Sequence, residues 1–147
     1  MIKGFEHYLL GEKLYQQIVS NVYKKYNITY MEFTIIMFLA NNNYDTASDI
    51  VKYRCLTKSH VSVSIKSLQD KGLLIEQYLE NDRRSKHLKL TSLTEPIIKD
   101  GRIAQKKFIE TLYNGLTNED IAKIKFIHEK INNNIKDNLI DYRRDNE

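Results

Sequence analysis

Only one proline and five glycines occur among the 147 residues. With so few breakers, long stretches run uninterrupted and favour helix over a many-stranded sheet. The single cysteine, Cys55, rules out an intramolecular disulfide and leaves no second thiol at metal-ligand spacing, which fits a reducing compartment. No run approaches the roughly 18 apolar residues that span a bilayer. The segment Met1 to Leu10 carries Glu6 and His7 where a signal peptide needs an apolar stretch. The expectation is therefore a cytoplasmic protein. The four histidines, His7, His60, His87 and His128, are scattered, and there is neither a glycine-rich phosphate loop nor a His-x-x-x-His pair. Nothing in this pattern nominates a catalytic residue, a cofactor or a metal set, so a non-enzyme is expected.

What the chain does contain is ordinary in amount and uneven in place. Hydrophobic residues make up 41% and charged residues 29%, a soluble globular composition, and the length suits one folding unit over residues 1–147. The formal net charge is +4. Between Thr46 and Thr91 nine Lys and Arg face five acids, and the rest of the chain holds 14 of each sign. All the excess positive charge thus lies in one contiguous third, the footprint of a module that binds a polyanion.

Helix start and stop signals divide the chain. Residues 4–26 carry Leu14, Ile18 and Val22 at four-residue spacing, an amphipathic helix that wants a partner. Thr29-Tyr30-Met31-Glu32 reads as a capping box opening a second helix, with Phe33, Ile36, Met37 and Ala40 on one face and Asn41 to Asn43 as the stop. Thr46-Ala47-Ser48-Asp49 repeats the box before a short helix to about Arg54 that is expected to bury Ala47, Ile50 and Val51. Thr57 can cap a further helix to Lys71, and Gly72 can end it in the left-handed conformation that glycine enters cheaply. Two helices abutting across so short a turn form a helix-turn-helix. Leu73 to Leu79, a polar loop Glu80 to Ser85, and the alternating Lys86 to Leu90 read as a β-hairpin. Two more helices follow, from Thr94 or Glu95 to about Tyr113, and from Thr117 through Ile121, Ile124, Ile127, Ile131, Ile135 and Leu139. The predicted class is mainly α with a small β-hairpin wing.

Viewed down its axis, the Thr57 to Lys71 helix gathers Val61, Ile65 and Leu68 on a narrow apolar face. Ser59, Ser62, Val63 and Lys66 fall opposite, with His60 at the margin and no acid before Asp70. Serines on such a face read either as filler toward solvent or as small groups that let a helix sink into a major groove, where Val63 meets a thymine methyl. The hairpin tip Asp82-Arg83-Arg84-Ser85-Lys86 presents three cations in four positions. Arginines so placed can enter a narrow minor groove, with Asp82 bracing a guanidinium. The candidate DNA-binding residues are Thr57, Lys58, Ser59, His60, Ser62, Val63, Lys66, Asp82, Arg83, Arg84, Ser85 and Lys86.

With the helix-turn-helix, the Lys71-Gly72 helix end, Asp82-Arg83-Arg84 and Leu88-Lys89-Leu90-Thr91 in place, the chain resembles the MarR family of bacterial transcription factors. The resemblance departs at Ser92 to Pro96, where family members run straight into a Glu-x-Gly helix start. It implies a winged helix-turn-helix at 29–91 flanked by dimerisation helices at 4–26 and 94–142. It also implies a homodimer on a palindromic double-stranded DNA operator, commonly a repressor relieved by a small aromatic effector. Tyr8, Tyr15 and Tyr30 would suit such an effector, or are core and interface. Cys55 reads as a buried structural thiol or as a redox switch. A metal-responsive regulator using His7 and His128, and a winged helix that binds protein instead of DNA, remain the alternatives.

Overall fold

In the computed structural model, residues 3–80 and 82–139 are described, with the backbone alone for residues 3–5, 82 and 83. The elements are α1 (Lys3–Lys25), α2 (Tyr30–Asn41), α3 (Ala47–Arg54), α4 (Lys58–Asp70), β1 (Leu74–Leu79), β2 (Asp82–Leu90), a 3-10 turn (Ser92–Thr94), α5 (Glu95–Leu112) and α6 (Asn118–Asn138). They fall into two compact units that divide between Phe108 and Ile109.

The first unit is organised around α2. Its capping box forms as the sequence predicts, with Thr29 Oγ1 accepting from the Glu32 N–H at 3.1 Å and Glu32 Oε2 accepting from the Thr29 N–H at 2.6 Å. Phe33, Ile36 and Met37 are buried, and so are Ile35 and Phe38. The helix is therefore covered on more than the one stripe its spacing showed, the pattern of a central helix. Around it one core collects Val19 and Val22 of α1, Ile50 of α3, Val61, Ile65 and Leu68 of α4, Leu74 and Leu88 of the hairpin, and Ile97 and Ala104 of α5. Each Val, Leu or Ile side chain among these contributes about 1.5–3 kcal/mol by leaving water.

The Thr46 box on α3 also forms, with Asp49. Of the three residues expected to be buried there, Ile50 is buried and Val51 half-buried, while Ala47 is exposed because it stands at the first helical position, outside the turn that faces the core. Cys55 ends α3 in the left-handed region at φ 51° and is exposed, which corrects the expectation of a buried thiol. After α4 the Gly72 N–H donates to the Gln69 carbonyl and the Leu73 N–H to the Leu68 carbonyl, both at 2.9 Å. These two bonds, with Gly72 at φ 69°, make a Schellman end.

The hairpin is antiparallel, pairing Leu74 with Leu90, Glu76 with Leu88 and Leu79 with Asp82, with an irregularity between Gln77 and Leu79. The second strand begins at Asp82 instead of Lys86, so the polar loop is shorter than expected. A charged strand paired at a surface has no alternation to betray it. The segment Ser92 to Pro96 folds as the 3-10 turn followed by the first turn of α5, with Thr94 fully buried and Pro96 where its missing N–H costs nothing.

The second unit holds the end of α5, a turn through Gly115 at φ 82°, and α6, opened by a Thr117 and Asp120 capping box. No residue of α6 is buried. Phe126, Ile127, Ile131, Ile135 and Leu139 are exposed along it.

Candidate nucleic-acid interface

Two local devices set the start of α4. Thr57 caps it, its hydroxyl accepting from the His60 N–H at 3.3 Å, and the turn from α3 is closed by the Leu56 N–H donating to the Val51 carbonyl at 3.2 Å. Burial of Val61, Ile65 and Leu68 then fixes the helix's rotation, leaving Ser59, His60, Ser62, Val63 and Lys66 exposed together, with Thr57 and Lys58 exposed at the entry. Val63 is 70% exposed, a mid-helix apolar side chain given to solvent while its neighbours pack. Such a surface has no negative charge to repel a phosphate, and its long side chains, Lys58 and Lys66, are cationic.

The root of the wing is anchored by a second device. The Leu88 N–H donates to the Asp45 carbonyl at 2.7 Å, and His87 Nδ1 lies 2.7 Å from Asp45 Oδ1. Thr46 and His87 form a β-bridge. The strand that carries the wing thus continues into the cap of α3, joining hairpin and helix-turn-helix in one frame. Beside that joint Tyr44 stacks on Tyr53 with ring centroids 4.3 Å apart, and Lys52 Nζ lies 5.4 Å from the Tyr53 ring. Asp45 and His87 carried no signal in the sequence, since they are 42 residues apart.

At the wing, Arg84 is exposed and Ser85 half-buried. The side chains of Asp82 and Arg83 lie outside the described residues, and with them the expected Asp82 brace. Lys86 does not present a bare charge: its Nζ donates to Glu76 Oε2 at 3.0 Å. That hydrogen bond and the carboxylate's charge hold the ammonium's pKa above its ordinary value. The pair is diagonal across the strands, since Lys86 stands two residues from Leu88, the partner of Glu76.

The three tyrosines differ in their surroundings. Tyr8 is exposed. Tyr15 stands edge-on to Phe108 with centroids 5.2 Å apart and its hydroxyl accepts from Gln105 Nε2. Tyr30 donates to Glu12 Oε1 at 3.0 Å and packs edge-on to Tyr23; burial first, then that acidic neighbour, raises its phenol pKa. Among the described residues no three His, Cys, Asp or Glu converge as a metal set, and no helix is long and apolar enough to cross a membrane.

A family model described as the MarR family matches residues 26–85, the stretch from the end of α1 to the wing. Among solved structures, a putative MarR family transcriptional regulator from Listeria monocytogenes complexed with 26mer DNA aligns at TM-score 0.80 and 18% identity, covering 94% of this chain and 90% of that one. Staphylococcus aureus MarR in complex with salicylate and kanamycin aligns at 0.76 and 16%, covering 93% of each. A MarR/EmrR family regulator from Acinetobacter sp. ADP1 aligns at 0.75 and 18%, covering 92% and 95%. At these identities the likeness is one of fold. Residues 26–85 thus match the MarR family model, and the helix-and-wing architecture that holds them is similar in fold to these solved regulators.

Proposed function

We propose that this protein is a cytoplasmic transcriptional regulator that binds double-stranded DNA sequence-specifically as a homodimer. In this reading it represses from a palindromic operator and is released by a small aromatic molecule. The observation that carries the reading is the exposed, acid-free face of α4, Ser59, Ser62, Val63 and Lys66, held in one frame with the wing. Residues 29–91 read the duplex, α4 in the major groove and Arg83 and Arg84 alongside in the minor groove. Residues 4–26 and 94–142 pair the subunits. Exposed Leu9 and Leu10 of α1, and separately the exposed apolar residues of α6, are faces that solvent does not favour. The Listeria relative's complex with DNA and the Staphylococcus relative's complex with salicylate lend support by likeness of fold.

The test is Arg83→Ala combined with Arg84→Ala, read by fluorescence anisotropy on a duplex that the wild-type protein selects from a randomised library. The double variant should stay dimeric by analytical ultracentrifugation and bind more weakly, and wild-type affinity should fall steeply with salt as counterions are released. Unchanged affinity in the double variant would remove the wing from the interface. A wild-type protein that binds a protein partner and no duplex would establish the interaction-module reading instead.

A further inference from the structure

Glu32 has two sets of partners, and capping explains only one. Its Oε2 closes the α2 capping box on the Thr29 N–H, a bond within four residues of chain. Its two oxygens also accept from Lys71 Nζ, at 2.9 and 2.8 Å, across 39 residues of sequence. The side chain is buried, at 1% exposure for the residue. The same ammonium donates to the Asn27 carbonyl at 3.2 Å, where the chain leaves α1 in a left-handed turn. Ser67, one turn before Lys71 on α4, hydrogen-bonds the carboxyl as well. One carboxylate therefore ties together the exit of α1, the first turn of α2 and the last turn of α4.

A capping box needs a single acceptor, which glutamine supplies equally well and with no buried charge. Burying a carboxylate is costly unless it is paired and hydrogen-bonded, and apolar contact holds helices together at lower cost. What a bidentate ion pair adds is direction: it is satisfied at one rotation and one tilt of α4 and strained at others. Lys71 is also the last residue before the Gly72 turn into the wing, so the same contact sets where the hairpin departs.

We propose that Glu32 and Lys71 are positioning residues for duplex recognition. Their ion pair fixes the orientation at which α4 meets the bases, and so sets discrimination among sequences more than overall affinity. This deepens the reading above and rests on it.

The test uses the full chain as Glu32→Gln, Lys71→Met and Lys71→Arg. Dissociation constants are measured on the duplex selected by the wild-type protein and on a scrambled duplex of equal length and composition. The temperature is one at which circular dichroism shows each variant folded. Glu32→Gln and Lys71→Met should each lose about tenfold of the ratio between the two duplexes, comparable to misreading one base pair. Lys71→Arg, which keeps a bidentate donor, should restore most of it. Glu32→Gln separates geometry from charge: removing an acid tightens binding to any polyanion, so a loss of discrimination there is not electrostatic. Should Lys71→Met fail to fold, Glu32→Gln and Lys71→Arg still decide the matter. Folded variants with the wild-type ratio would overturn the proposal and reduce the pair to a structural contact, leaving the proposed function intact. A wild-type protein without discrimination between the duplexes would overturn both.

Discussion

Gly101, in the middle of α5, is buried against α2. A Cβ built there would lie 2.6 Å from Met37 Sδ, 3.0 Å from Phe33 Cε2 and 3.1 Å from Met37 Cε. Gly101→Ala therefore sets two effects against each other. Alanine gains about 1 kcal/mol in helix propensity over glycine. Crowding opposes it, because Met37 is 1% exposed and Phe33 0%, so neither has solvent to move into; overpacking of this kind costs about 1–3 kcal/mol. The sum is a net loss of about 1 kcal/mol. In a Met37→Ala background both sulfur and terminal methyl are gone and Phe33 can settle into the space, so the same substitution becomes stabilising by about 1 kcal/mol. The two positions are thus coupled by about 2 kcal/mol. Urea unfolding followed by far-ultraviolet circular dichroism measures this, at one fixed protein concentration because the proposed homodimer would unfold in a concentration-dependent way. A Gly101→Ala protein at least as stable as its parent, or a change of the same sign in both backgrounds, would refute the reasoning.

The remaining predictions concern charge. Burial pushes the Glu32 carboxyl upward, but the Lys71 ammonium, the Ser67 hydroxyl and the Thr29 N–H outweigh it and hold the carboxyl below its ordinary range. A depressed carboxyl contributes stability above its unfolded value of about 4.3 and loses it as pH falls through the folded value. The wild-type protein should therefore lose stability on acidification below about pH 4.5 more steeply than Glu32→Gln; parallel curves from chemical denaturation at stepped pH would count against the pair. Lys66→Ala should change the ranking of duplexes recovered from a randomised library. If the ranking holds and the salt slope drops by about 1, Lys66 meets a phosphate instead of a base.

How much of this was readable in the chain depended on the range of the interaction. The caps at Thr29, Thr46, Thr57 and Thr117 form as the sequence implies, because each is decided within four residues. The rotation of α4 was legible for the same reason, since Val61, Ile65 and Leu68 repeat at helical spacing and are buried. Glu32 was legible only as a cap; its bond to Lys71 depends on a meeting of α2 and α4 that no local pattern encodes. The wing's inner strand edge was missed because Asp82 to Ser85 look like loop in composition, and pairing with β1 overrides that composition. Cys55 was misjudged because cysteine is generally buried, whereas here it occupies a left-handed helix end at the surface.

The joint between Asp45 and the strand at His87 and Leu88 divides the hairpin into a fixed base and a projecting end. Substitutions beyond that joint do not touch the hydrophobic packing that folds the protein, since Leu74 and Leu88 supply it from the base. New tips can accordingly be exchanged onto the same body without disturbing the packing that folds it.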